Sequence, residues 1–560
     1  MPDKRLLLGD EAVALGALHA GLSGVYAYPG TPSTEITEYI QQSPFARERG
    51  VRSRWCTNEK TAMEAALGMS YAGKRALVCM KHVGMNVCAD AFVNAAVTGV
   101  KGGLVVLAAD DPSMHSSQNE QDSRFYGKFA LVPVLEPSCQ QEAYDMMADA
   151  FALSESLKLP VLMRLVTRLA HSRAAVEVGE PLPQNALDPD SERTHWVLLP
   201  GNAKRQYASL VAKQPEILAL SEGSKYNRLE IRRSSRRMTV NQAETCSSFA
   251  GASSSFAGLT GESLGIIAAG IAWNYVREAA PAGAFPLLKL SQYPLPAKQI
   301  RELAARCSRI LVVEDGQPFV EEQVRGLLGA EYPVCGRLTG DLPRTGELTP
   351  DCVAAALGVS GGPAFAPARN LAPRPPQLCQ GCGHRDVYTA LNQVAAEFPG
   401  ARIFGDIGCY TLGALPPFRA IDSCVDMGAS ITMAKGAADA GLRPAIAVIG
   451  DSTFTHSGMT GLLDAVNDKS AITVIISDNL TTAMTGGQDS AGTHKYEAIC
   501  LALGVEREHL HVVVPLPANM AEITRILREE IAYEGVSVII PQRECMQTLG
   551  RKLRQKKQAQ

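Results

Sequence analysis

Two short polar stretches near the C-terminal end, Gly450-Asp451-Ser452 and, about 28 residues on, Asp478-Asn479-Leu480-Thr481, put a carboxylate after one apolar run and a carboxamide after the next. Magnesium takes octahedral oxygen ligands, commonly one or two carboxylates with phosphate oxygens and water. Asp451, Asn479 and the Thr481 carbonyl are a set that holds such a cation against a diphosphate. Either dipeptide alone also serves as an ordinary strand-closing turn. Four cysteines form a second constellation: Cys379 and Cys382 in Cys-Gln-Gly-Cys, Cys409 after Gly408, and Cys545 near the end. Fourteen cysteines in 560 residues, with no secretory leader, favour reduced thiols or metal ligands over a disulfide framework. The C-x-x-C spacing leaves zinc, a redox disulfide and an iron–sulfur cluster open. A third group lies far upstream. Glu59 opens a helical pattern, where an acid also complements the helix dipole. His82 follows a strand, and histidine suits acid–base chemistry near neutrality, although a buried histidine is also a routine hydrogen-bonded residue. In Gly30-Thr31-Pro32-Ser33, Thr31 or Ser33 is placed to cap a helix.

Residues 444–449 and 471–476 read as buried strands, and 456–467, with one apolar face, as the helix between them. A strand, helix, parallel strand unit puts both polar stretches at the carboxyl edge of a sheet, where ligands of open α/β sheets collect. The cysteine segments follow strands or precede a helix in the same half, so their ends can converge on that edge. Upstream, 76–80 and 159–164 are strands, and Ala62, Ala66 and Met69 mark the helix that Glu59 opens. Strands at 265–270 and 309–314, with a helix through 321–326, begin another pattern of this kind. The 265–270 run lacks the G-x-G-x-x-G order of a dinucleotide fingerprint. The predicted fold is α/β with three doubly wound domains. The expected divisions are 1–180, a connector of unassigned fold at 181–263 with a Ser-, Ala- and Gly-rich end from 246, a domain at 264–360, a Pro- and Ala-rich linker at 361–376, a domain at 377–545 and a basic tail at 546–560.

An apolar share of 46% and a charged share of 20% belong to an ordinary globular protein. A net charge of −3 gives no footing for nucleic acid or an anionic membrane. Arg228, Arg232, Arg233, Arg236 and Arg237 have only Tyr226 as a neighbouring aromatic and read as a solvated face. No apolar run nears the roughly 20 residues that span a bilayer. Lys4-Arg5 is followed by three leucines and then by Asp10-Glu11, which cuts a signal core short, so a cytoplasmic protein is expected.

Taken in order, Tyr28-Pro29-Gly30-Thr31-Pro32-Ser33-Thr34-Glu35, Asn58-Glu59-Lys60, Lys81-His82-Val83-Gly84-Met85-Asn86 and Asp110-Asp111-Pro112 through Asp122 resemble the pyrimidine-binding half of 2-oxoacid:ferredoxin oxidoreductases. Gly450-Asp451 to Asn479 resembles the thiamine diphosphate motif, which begins Gly-Asp-Gly and ends Asn-Asn. Ser452 and Asp478 depart from it; Asp451 and Asn479 do not. The resemblance is closest to the large subunits of indolepyruvate ferredoxin oxidoreductases. It implies three domains of thiamine-diphosphate-binding, transketolase-like type: pyrimidine-binding at 1–180, transketolase C-terminal-like at 264–360 and diphosphate-binding at 377–545.

By that resemblance Glu59 activates the aminopyrimidine of thiamine diphosphate, Thr31 lies near the substrate carboxylate and His82 near the reacting carbon. Gly450, Asp451, Ser452, Asn479 and Thr481 bind the diphosphate, with Mg2+ on Asp451, Asn479 and Thr481. Cys379, Cys382, Cys409 and Cys545 ligate a [4Fe–4S] cluster. The reaction so implied is oxidative decarboxylation of a 2-oxoacid, an aryl pyruvate such as indolepyruvate or phenylpyruvate, with coenzyme A as acyl acceptor. Electrons pass through the cluster to a partner or an external acceptor such as ferredoxin. A small second (beta) subunit and a dimer of heterodimers or larger are also implied. Large subunits of the family usually continue into a ferredoxin-like segment of repeated cysteines, where this sequence has the basic run 551–557 and stops at Gln560. The alternative reading is a non-oxidative thiamine diphosphate-dependent decarboxylase or carboligase with structural cysteines. A third is a scaffolding subunit that keeps the fold without activity.

Overall fold

The computed structural model describes residues 3–188, 195–231, 264–359, 370–372 and 375–559. They fall into two compact units, Met1–Arg54 with Glu59–Ala366, and Trp55–Asn58 with Pro367–Gln560. The stretch 246–263, the arginines at 232, 233, 236 and 237, and most of the linker at 361–376 lie outside the described residues.

The first unit contains a seven-stranded sheet in the order Gln292–Tyr293, Val134–Leu135, Val161–Val166, Leu104–Asp110, Ala76–Lys81, Gly24–Ala27, Arg52–Trp55. Ala76–Lys81 and Leu104–Asp110 are apolar along almost their whole length because helices cover both faces, as parallel strands require. Their register pairs Lys81 with Ala109, and Ala109 in turn pairs with Leu165. The loop after Gly24–Ala27, His82, Asp111 and Thr167 therefore all emerge at the carboxyl edge. A second, five-stranded sheet runs Val334–Cys335, Arg309–Val313, Leu264–Ala269, Leu287–Leu290, Arg228–Glu230, and only the last strand is antiparallel to its neighbour. The segment that the sequence left unassigned supplies that edge strand, preceded by helices Pro200–Ala212 and Gln214–Glu222.

Arg124 and Arg164 are fully buried in this unit. Arg164 pairs with Asp110 at 2.5 Å and with Glu136; Arg124 pairs with Asp122 at 2.5 Å and Glu314 at 2.9 Å. Arg164 Nη2 also donates to the Asp315 carbonyl at 3.0 Å. Both guanidinium groups thus link the end of the first sheet to the loop after Arg309–Val313 in the second.

The second unit is one six-stranded parallel sheet, in the order Ser423–Cys424, Arg402–Gly405, Ala445–Gly450, Ile472–Ser477, Val536–Pro541, Leu510–Val513. Alternation along the strands feeds two cores: Ala445, Ala447 and Ile449 enter one, Ile446 and Val448 the other. The strands at 445 and 472 each begin one residue later than the sequence pattern predicts; at the first, Pro444 has no N–H to give the ladder. The chain leaves Arg402–Gly405 for a strand on one side and returns on the other, so the carboxyl ends of Arg402–Gly405 and Ala445–Gly450 flank a topological switch point. Such crevices are where open α/β sheets bind ligands.

One expectation is corrected. The helix predicted at 456–467 begins at Asp451 itself: Asp451–Thr453 is helical, Phe454–Gly458 forms a π turn, and Met459–Asn467 continues. Ser457 and Gly458 fall within the π turn, where Gly458 leaves room for the Ile449 and Phe454 side chains. Among the described residues no helix is long and apolar enough to cross a membrane.

Candidate functional site

Asp451 stands first in its helix at the carboxyl end of Ala445–Gly450 and is only 2% exposed. Its Oδ1 accepts from Ser452 N at 2.7 Å and its Oδ2 from Thr481 N at 3.2 Å, and Asn479 Oδ1 accepts from the same Thr481 N at 3.2 Å. Asp451 and the Asn479–Thr481 loop, which follow successive strands, are therefore brought together. Burial, and then the neighbouring Asp478, hold the Asp451 carboxyl far above the usual carboxylate range. Two buried carboxylates with an amide oxygen beside them and a helix N-terminus behind form a donor set that a divalent cation with a diphosphate satisfies. Asp478, one of the two departures from the motif, is held by Leu480 N at 2.9 Å and Gln542 Nε2 at 2.7 Å, so it also braces the loop. Ser452 Oγ lies 2.8 Å from Thr482 Oγ1. Gly450 has a steric reason as well, since a β-carbon there would sit 2.5 Å from the Tyr410 ring, which packs equally closely on Gly408.

Cys379, Cys382, Cys409 and Cys545 all line one cavity of about 360 Å3, which Asp478, Asn479 and His384 also line. Four chain segments converge there: the turn before helix Gly383–Ala395, the loop after Arg402–Gly405, the loop after Ile472–Ser477 and the stretch after Val536–Pro541. Burial, and after it Cys545, Cys382 and Cys379, push the Cys409 thiol up to about 12. Four thiols this close resist ionising together unless a cation compensates them, and a thiolate-bound metal cluster is such a group. Gln547 Nε2 lies 3.5 Å from Cys379 Sγ, and the His384 backbone N–H bonds to Cys382. Among the other described cysteines, Cys79, Cys88, Cys307 and Cys500 are core residues, whereas Cys424 is exposed.

In the first unit Glu59 is the first residue of helix Glu59–Tyr71 and is 5% exposed. Gly84, in helix His82–Thr98, faces it without a side chain. His82 opens that helix and is 1% exposed; its Nε2 lies 3.3 Å from the Asn119 carbonyl, and its Nδ1 has no partner among the described residues. Thr31 is half-buried in the loop after Gly24–Ala27, and Gly30 packs against Lys81, so Thr31 and His82 follow adjacent strands at one edge. Neither Thr31 nor Ser33 caps the next helix: Ser33 Oγ donates back to the Gly30 carbonyl at 2.8 Å, and Gly30 N donates to Thr34 Oγ1 at 3.0 Å. Lys81, overlooked as a site residue, donates to the Ser116 carbonyl at 2.6 Å, and burial pushes its pKa down to about 8. Only its position at a strand end hinted at it. His384 was also passed over, though it sits in the Cys-x-x-Cys-Gly-His run; burial pushes its pKa down to about 4.

Residues 15–209 match the family model for the thiamine-diphosphate-binding domain of pyruvate flavodoxin/ferredoxin oxidoreductase, and 406–540 match the C-terminal TPP-binding domain of thiamine pyrophosphate enzymes. The indolepyruvate oxidoreductase subunit IorA of Methanothermobacter thermautotrophicus is 38% identical over 576 residues, 98% of this chain and 88% of that one. The IorA subunit of Thermococcus kodakarensis is 36% identical over 594 residues, covering 97% and 86%. A solved 2-oxoglutarate:ferredoxin oxidoreductase from Magnetococcus marinus overlaps 63% of this chain and 64% of its own at 17% identity, with a TM-score of 0.47. The chain belongs to the indolepyruvate oxidoreductase IorA family, thiamine diphosphate-dependent 2-oxoacid oxidoreductases with an α/β fold.

Proposed function

We propose that the protein oxidatively decarboxylates an aryl 2-oxoacid, such as indolepyruvate or phenylpyruvate, to its acyl-CoA, with electrons leaving through a [4Fe–4S] cluster. The observation that carries this reading is the shared cavity: the four cysteines line the same space as Asp478 and Asn479, the loop that clasps Asp451. Electron exit beside the diphosphate loop is what an oxidative enzyme needs and a simple decarboxylase does not.

Bound thiamine diphosphate supplies a nucleophilic carbon and an electron sink, chemistry that belongs to the cofactor. The chain's own residues bind and orient. Asp451, Asn479 and Thr481 hold Mg2+, and Gly450 and Ser452 flank the diphosphate. Glu59, buried and fixed at its helix start, holds the proton exchanged with the aminopyrimidine. Thr31 orients the substrate carboxylate and His82 moves a proton at the substrate oxygen. Cys379, Cys382, Cys409 and Cys545 hold the cluster. The relatives' designation as subunits supports a partner chain; the assembly proposed is with a small beta subunit in a dimer of heterodimers or larger, with ferredoxin or a similar carrier as acceptor. Thirteen free cysteines among the described residues fit a reducing cytoplasm.

Anaerobic purification with co-purifying partners, followed by iron and sulfide analysis and a 2-oxoacid panel with and without coenzyme A, tests the proposal. Acyl thioester formation that requires cluster-loaded protein is expected. Aldehyde without thioester, from protein lacking iron, would establish the non-oxidative decarboxylase or carboligase instead.

A further inference from the structure

Away from these centres, three side chains in the first unit face one another with too few hydrogen-bond donors among them. Asp10 lies in the first turn of helix Gly9–His19, Glu35 in the first turn of helix Thr34–Gln42, and His171 ends helix Thr167–His171. One ligand atom from each lies within 4.8 Å of the other two, and His171 Nε2 is 3.6 Å from Glu35 Oε1. Asp10 is completely buried, and among the described residues neither of its carboxylate oxygens has a hydrogen-bond partner; nor has Glu35 Oε2.

Asp10 is not engaged at its own helix start. The first-turn acid that accepts the free backbone amide is Glu11, from Leu8 N at 2.8 Å, which leaves Asp10 pointing inward. The approach of the helices is built in, because a β-carbon on Gly9 would lie 2.2 Å from the Leu169 carbonyl oxygen. Burying an acid against a second acid is costly unless a proton or a cation lies between them.

We propose that Asp10, Glu35 and His171 bind a zinc-class divalent cation, with water completing its coordination. Two oxygens and one imidazole nitrogen are the donors of borderline transition metals, and imidazole disfavours magnesium and calcium. Ligands about 2.0–2.1 Å from a tetrahedral zinc stand roughly 3.4 Å apart, close to the His171–Glu35 separation. Such an ion would tie three helices together four residues downstream of Thr31, and so steady the loop that carries it.

The test uses anaerobically prepared protein loaded with cluster, thiamine diphosphate and Mg2+, so that the cysteines and Asp451 are already occupied. Zn2+ is titrated into wild type, Asp10→Asn, His171→Gln and, as a control on the same helix turn, Glu11→Gln. Wild type and Glu11→Gln are expected to take up one equivalent and unfold at a higher temperature with Zn2+ present. Both effects should disappear in the other two variants. Their affinity should fall by more than about a hundredfold, since even an outer-shell partner is worth about 10–100-fold. Co2+ in place of Zn2+ should show weak visible d–d bands without thiolate charge transfer. Equal uptake by all four proteins overturns the proposal. So does Asp10→Asn raising the unfolding temperature while wild type gains nothing from Zn2+, which would show that Asp10 and Glu35 share a proton.

Discussion

Gly84 leaves the space that Glu59 fills: a β-carbon at Gly84 would lie 2.6 Å from Glu59 Cγ and 2.7 Å from Oε1. The two residues start or sit near the start of successive helices, so the missing side chain lets one helix hold the carboxylate of the other. Gly84→Ala should therefore fold and bind cofactor while turnover falls about a hundredfold, the usual effect of misplacing a reacting group by an ångström. Steady-state kinetics with a cofactor-binding assay will separate the two; unchanged kcat would remove Glu59 from the chemistry.

Asp451→Asn should act with opposite signs on stability and on cofactor affinity. The wild-type carboxyl is raised by burial and Asp478, so its neutral replacement should stabilise the cofactor-free protein. The same change removes a charge from the Mg2+ site and should weaken Mg2+-dependent thiamine diphosphate binding by at least about tenfold, or ~1.4 kcal/mol. Calorimetric titration and thermal unfolding of one preparation report both.

His384 predicts a pH slope. Its pKa falls from 6.5 to about 4 on burial, so the unfolded chain binds more protons between those values, and stability is lost as pH drops through that window. The loss approaches about 3 kcal/mol at 1.36 kcal/mol per pKa unit. Urea midpoints at pH 6.5 and 4.5 should therefore differ less for His384→Gln than for wild type.

Cysteine substitutions should divide by position rather than by exposure. Cys545→Ser should lower iron and sulfide content and bleach the visible absorption of anaerobic protein, because Cys545 lines the cavity with the other three. Cys424→Ser, at an exposed thiol whose Sγ lies 3.7 Å from the Asp406 carbonyl, should leave both unchanged.

Arg164→Met should be the most damaging change to the first unit. It takes the buried cation from Asp110 and leaves Glu136 only Arg124 at 3.7 Å and the Tyr293 hydroxyl. Breaking a buried pair from one side costs about 3–5 kcal/mol. A large fall in the urea midpoint, or loss of soluble protein, is expected, with Asp110→Asn/Arg164→Met milder than Arg164→Met alone.

Much of the second unit could be read from the sequence. Residues 444–449 and 471–476 are short unbroken apolar runs, which buried parallel strands must be, and the observed strands lie one residue away. The helix start was misplaced because a π turn conceals itself in Gly- and Ser-containing text, and because Asp451 begins a helix directly after its strand. The alternative in which Thr31 or Ser33 caps the helix failed for a different reason: the Ser33 hydroxyl donates to the Gly30 carbonyl and the Gly30 N–H to the Thr34 hydroxyl within the loop.

By itself the sequence displayed the residue types and motif order on which the family resemblance, and with it the proposed roles of Glu59, Asp451, Asn479 and the four cysteines, rests, and the apolar runs that form the sheets. These depend on residue type and on periods of a few positions, which a linear chain displays directly. Only the tertiary structure decided that Cys379, Cys382, Cys409 and Cys545 line one cavity, that Gly84 makes room for Glu59, that Arg124 and Arg164 are buried among acids, and that Asp10, Glu35 and His171 meet. Each of those relations joins residues from different helices or loops, as far apart in the chain as Arg124 and Glu314, 190 positions (314 minus 124). Their separation in space is set by strand order and helix packing, which no local pattern encodes.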